Sequence, residues 1–169
     1  MSALWLAVGL VALQRLAELA FSRQNEQRLL AQGGHEVGAG LYPLIVGLHV
    51  AWLAALLLGV PADAPVRWPY LAAFLALQGA RVWVMASLGR YWTTRVITVP
   101  GRPLVRRGPY KSLRHPNYLV VAGEIALLPL AFGAWRIALV YSLFNAALLW
   151  LRVRGEDKAL APRRQTRAG

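Results

Sequence analysis

The stretch YLVVAGEIALLPLAFGAWRIALVYSLFNAALLWL, residues 118–151, is two apolar blocks with almost nothing between them. The first runs from Tyr118 to Phe132 and the second from Ala134 to about Leu151, so the whole connection is Phe132-Gly133-Ala134. A link that short predicts an antiparallel helical hairpin. A bilayer-spanning helix needs ~20 residues; the second block comes close and the first sits at the low edge of that range. Closing the hairpin brings two polar ends together, Arg114 to Tyr118 and Arg152 to Asp157.

Working outward, Ser2 to Phe21, Leu41 to Val60 and Trp68 to Leu88 are three further apolar blocks of spanning length. The first lacks a basic leading segment and is interrupted by Gln14, Arg15 and Glu18, so it reads as a mature helix rather than a signal peptide. Apolar residues make up 57% of the 169 and charged residues only 15%, against about 25% charged in soluble domains. The expectation is an all-α membrane protein of about five transmembrane helices in a single integral membrane domain. Residues 1–88 hold three N-terminal helices, 89–160 a polar loop with the final hairpin, and 161–169 a basic tail.

The net charge of +12 is unevenly spread. With the N-terminus outside, residues 22–40, 89–117 and the tail after 151 lie inside and carry 15 of the 19 lysines and arginines. That is the positive-inside bias, and it assigns the charge to topology and anionic headgroups rather than to nucleic acid. The basic tail reads as headgroup-binding or disordered. There is no cysteine, which removes disulfides and thiolate chemistry. His35, His49 and His115 lack metal-ligand spacing, and neither common nucleotide-binding glycine loop occurs.

The segment 89–117 is unusually long for a loop between spans, and loops of that length carry function or are disordered. Its aromatics Tyr91, Trp92 and Tyr110 favour order, so it predicts a structured cytoplasmic module before the last hairpin. The β-branched run Tyr91 to Val99 suits an extended segment, Pro100-Gly101 a turn, and Tyr110 to Leu113 a short helix. Within the spans, Gln14, Arg15 and Glu18 lie on one side of the first helix and read as glue between helices. His49 reads as a satisfied buried histidine, and Arg81 with Gln78 as packing partners. An acid in a membrane helix is costly. Glu124 therefore has two readings: a substrate contact or base, or one half of a salt bridge to Arg81 or another helix.

Gly108-Pro109-Tyr110-Lys111-Ser112-Leu113-Arg114-His115-Pro116-Asn117-Tyr118 resembles the G-x-Y-x-x-x-R-H-P-x-Y signature of the isoprenylcysteine carboxyl methyltransferase family. Gly155-Glu156-Asp157-Lys158-Ala159-Leu160 is similar to that family's E-E-x-x-L element after the last helix. The resemblance covers roughly residues 89–160, with 1–88 matching only as hydrophobic helices. It implies S-adenosylmethionine as cofactor. Leu104 and Val105 would line it through their backbone. Tyr110, His115, Pro116, Asn117 and Tyr118 would complete its pocket, and Glu156 would bind its polar groups. Arg152 would face the acceptor, with Glu124 as the further catalytic candidate. This chain departs at Arg102-Pro103, where eukaryotic members place a histidine, and at Asp157, which replaces the second glutamate.

The implied activity is O-methylation, at the membrane interface, of a carboxylate or hydroxyl on a prenylated or long-chain lipid acceptor. The implied setting is a bacterial inner membrane with the site in the cytoplasm. A carboxylate is already ionised at neutral pH and needs only a cation to orient it, which the planar guanidinium of Arg152 suits. A phenol, with a reference pKa of about 10, needs a base, and Glu124 and His115 are the nearby candidates. Two rivals remain: an NADPH-dependent reductase of the sterol type, with Arg102, Arg106 and Arg107 for the extra phosphate, and a non-catalytic membrane partner that keeps the fold.

Overall fold

The computed structural model describes residues 2–165, with side chains as far as Ala161. The tail expected at 161–169 is helical as far as Gln165; its last residues, 166–169, and its basic side chains lie outside the described residues. Among the described residues the regular structure is all helical apart from one small sheet. Its helices are α1 (Ala3–Ala31), α2 (Leu41–Gly59), α3 (Trp68–Leu88), α4 (Pro116–Ala131) and α5 (Trp135–Gln165). Strands β1 (His35–Val37) and β2 (Val96–Thr98) pair antiparallel, with Glu36 opposite Ile97.

α1 begins at Ser2, whose hydroxyl accepts from the Trp5 amide at 3.3 Å. It runs well past the apolar block because residues 22–31, SRQNEQRLLA, are rich in good helix formers. Gly33, at φ +82°, ends it, and the amides of Gly33 and Gly34 satisfy the carbonyls of Leu30 and Leu29. Pro69 sits in the first turn of α3, and Pro116 opens α4, where a missing N–H costs nothing.

Four helices, α1, α2, α3 and α5, are long and apolar enough to cross a membrane. α4 is shorter than the expectation of about five full spans. Its 16 residues reach about 24 Å against a ~30 Å hydrocarbon core. It is the inner helix, packed between α3 and α5, with Val120, Ile125, Leu128 and Ala131 buried. A helix screened from lipid by its neighbours need not match the bilayer's thickness. The core joins Ile125, Leu128 and Ala131 to Leu4, Val8, Trp52, Leu56 and Phe74, while Leu13, Leu58, Val82 and Leu143 remain exposed on the outer faces.

Midway through the bundle lies a neutral cluster of four charges. Glu124 accepts from Arg81 Nε at 2.9 Å, from Arg81 Nη2, from Arg15 Nη2 at 2.7 Å and from Gln78 Nε2 at 2.9 Å. Glu18 takes Arg15 Nη1 at 2.7 Å and Arg81 Nη1 at 3.0 Å. The helix glue expected of Arg15 and Glu18 is present, and it binds α1, α3 and α4. His49 Nδ1 lies 2.8 Å from the Ile45 carbonyl, so this histidine is satisfied within α2.

At one end of the bundle the 89–115 segment folds over the helix termini. The extended run expected at 91–99 becomes β2, but its partner β1 comes from the glycine-flanked 22–40 loop. The short helix starts two residues early, as a 3-10 turn at Gly108–Lys111, because Gly108 at φ +53° and Pro109 initiate it.

Candidate active site

The α4–α5 hairpin turns at Gly133, and its open end carries the polar residues predicted to meet. The N-terminus of α4 presents His115, Asn117 and Tyr118. On α5, one turn past the apolar block, Arg152 and Glu156 share a face. The tyrosine links them: Arg152 Nε donates to Tyr118 Oη at 2.8 Å, and Tyr118 Oη donates to Glu156 Oε2 at 2.5 Å. His115 stacks on the Tyr118 ring, centroids 5.3 Å apart. Its Nδ1 is 3.5 Å from Glu156 and its Nε2 3.2 Å from Asp157. The Glu156 carboxylate, followed by Asp157, raises the His115 pKa above the ordinary range against the opposing effect of partial burial.

These residues line a cavity of about 580 Å³, within the ~300–1,000 Å³ range of small-molecule sites. Its opposite wall is drawn from the segment between Tyr91 and Arg106. Leu104, Val105, Tyr110, His115, Asn117, Tyr118, Arg152 and Glu156 are thus brought to one cavity. Pro116 is buried in the first turn of α4 and does not line it. Glu124 does not line it either: it lies six residues beyond Tyr118 along α4, about 9 Å at the helical rise, and its oxygens are occupied by Arg81, Arg15 and Gln78.

The cavity has unmet hydrogen-bonding capacity. Asn117 Oδ1 and Trp92 Nε1 are buried without a partner, and both residues line it. Buried polar atoms are normally paired, so such a pair points to a polar ligand. Tyr110 adds an aromatic wall; burial, with Glu156 second, pushes its phenol up and keeps it neutral. The lining also carries Arg95, Arg102, Arg106, Lys111 and Arg114.

Thr94, beside the cavity wall, and Arg95, in it, escaped the sequence reading. Thr94 offers its carbonyl to Arg152 Nη2 at 2.5 Å. Arg95 bridges Glu36 at 2.8 Å and lies 4.5 Å over the Tyr42 ring. The β-branched run signalled an extended segment there but not which carbonyl it would aim at the hairpin.

Fold and cavity define an integral membrane protein of the all-helical class, with a polar-lined cavity at one end of the bundle. The model of the isoprenylcysteine carboxyl methyltransferase (ICMT) family matches residues 70–162. The chain belongs to that family, which implies a methyltransferase. It is 43% identical over 160 residues to the uncharacterized protein YpbQ of Bacillus subtilis (strain 168), covering 92% of this chain and 95% of that one. It is 26% identical over 155 residues to an uncharacterized protein of Haemophilus influenzae, covering 87% and 88%. No solved structure gives a significant match.

Proposed function

We propose that the protein is an S-adenosylmethionine-dependent O-methyltransferase, acting at the cytoplasmic interface of a bacterial inner membrane on a carboxylate or hydroxyl of a prenylated or long-chain lipid acceptor. The observation that carries this reading is the joining of His115, Tyr118, Arg152 and Glu156 across the hairpin around one cavity. The orientation follows the 12 lysines and arginines that residues 22–40, 89–117 and 152–160 gather at the cavity's end of the bundle.

The donor set suits the cofactor. Asn117 Oδ1, an acceptor without a partner, suits an amino group, and Glu156 suits an ammonium or ribose hydroxyls. Trp92 Nε1 is an unmet donor for a ring nitrogen or carboxylate, Leu104 and Val105 supply backbone contacts, and Tyr110 an aromatic wall. When bound, S-adenosylmethionine supplies an electrophilic methyl group on a sulfonium centre. The protein then contributes alignment and field. Arg152 is fixed by Thr94 and Tyr118, while its Nη1 has no hydrogen-bond partner among the described residues. That leaves a guanidinium N–H for the acceptor oxygen.

Neither candidate base, Glu124 or His115, stands ready for the acceptor. Glu124 is committed to its ion pairs away from the site, and His115 is held toward its protonated form by two carboxylates. A carboxylate acceptor arrives ionised and needs no base; a hydroxyl acceptor gives its proton to solvent water, with Arg152 stabilising the oxyanion that is then methylated.

The test is calorimetric titration of the purified protein in detergent with S-adenosylmethionine, with NADPH as the control ligand. Labelled methyl transfer is followed in parallel into an extract of the host's membrane lipids. Saturable S-adenosylmethionine binding that is lost in Glu156→Ala, with label entering the lipid phase, is the expected result. Absence of binding by folded protein, or stabilisation by NADPH alone, overturns the proposal.

A further inference from the structure

The stretch that the family model matches begins at residue 70, yet the wall facing Arg152 is held from α1. Ser22, Asn25 and Glu26 lie on one face of α1, in its extension beyond the apolar block. Ser22 and Asn25 are fully buried. Asn25 Nδ2 donates to the carbonyls of Trp92 at 2.8 Å and Gly89 at 3.2 Å. The Thr94 amide donates to Ser22 Oγ at 2.8 Å, and Ser22 Oγ donates to Glu26 Oε1 at 2.5 Å. Together these bonds fix the backbone of residues 89–94, and the carbonyl at the end of that segment accepts from Arg152 Nη2.

We propose that Ser22, Asn25 and Glu26 are positioning residues for Arg152. They clamp the 89–94 backbone so that the Thr94 carbonyl holds one edge of the guanidinium, while Tyr118 holds Nε. Arg152 on its own is a side chain with several rotatable bonds and high rotamer entropy. Two fixed acceptors on two different elements reduce it to one orientation. The catalytic consequence rests on the methyltransferase reading; the tether itself does not. It assigns α1 a part in aligning the reaction that its distance from the family signature conceals.

The experiment uses the full chain in detergent micelles, with ¹⁵N-labelled arginine. The Nη2–Hη resonance of Arg152, the group held by the Thr94 carbonyl, is assigned by its loss in Arg152→Lys. In wild type it is expected shifted from the free-arginine position and slow to exchange with solvent. Ser22→Ala removes a single hydroxyl and is expected to return it toward the free position. Asn25→Leu, which releases the carbonyl anchors instead, is expected to give the same signature.

Methyl transfer measured alongside is expected to fall about 10- to 100-fold, the scale of an ångström-sized misplacement. Affinity for S-adenosylmethionine is expected to stay within about twofold in Ser22→Ala, whose bond is to the Thr94 amide, whereas Asn25→Leu also frees the Trp92 carbonyl and is expected to weaken it. In an Arg152→Lys background, Ser22→Ala is expected to have no further effect on turnover. The tether is overturned if both variants leave the Arg152 resonance at its wild-type position, or if Ser22→Ala costs the same factor with and without Arg152. A wild-type protein that shows the immobilised resonance but transfers no methyl group instead removes the proposed function and leaves the tether standing.

Discussion

Replacing Glu124 with glutamine keeps the side chain's volume and removes one of four charges from the middle of the bundle. The cluster of Arg15, Arg81, Glu18 and Glu124 is neutral as it stands. Without the Glu124 charge it carries one uncompensated cation, and Arg81 is only 2% exposed. Breaking one side of a buried pair costs about 3–5 kcal/mol. At about 2–4 °C per kcal/mol for a chain of this size, the midpoint falls by roughly 6–20 °C. The assay is thermal unfolding in detergent at one fixed scan rate, with S-adenosylmethionine affinity measured on the surviving folded fraction. That affinity is expected unchanged, because Glu124 does not line the cavity. Converting both Arg81 and Glu124 to methionine leaves the Arg15–Glu18 pair balanced and is expected to recover most of the loss. A Glu124→Gln protein that melts with wild type while methyl transfer collapses would refute this reasoning and make Glu124 a group that acts on the acceptor.

Two further outcomes follow from the site. The raised pKa of His115 stabilises the fold fully below about pH 6.5, and that contribution is lost as pH rises through the raised folded-state value; the melting advantage of wild type over His115→Asn is therefore expected to shrink with rising pH, and an advantage that grows would contradict the pairing with Glu156. Gly108→Ala forces a side chain onto a backbone at φ +53°, at about 1–2 kcal/mol, and brings its Cβ onto Ser87 Oγ and to 3.0 Å from Trp83 Nε1; both the melting midpoint and S-adenosylmethionine affinity are expected to fall, whereas Gly79→Ala, with open space around it, leaves affinity intact.

The amino-acid sequence by itself determined the helices, the hairpin and the meeting of its polar ends. Each of these depends on local quantities: the length of an apolar block, the three residues between two blocks, and the four-residue spacing of Arg152 and Glu156. Only the tertiary structure supplied Glu124's partners, because Arg15 and Arg81 come from α1 and α3, 109 and 43 residues away in sequence. It also decided that residues 35–37 pair with 96–98, and that the Thr94 carbonyl faces Arg152. A periodic pattern states which face of a helix is apolar and nothing about which helix lies against it. Ion pairs and strand partners are settled by the packing that brings distant segments to hydrogen-bonding distance.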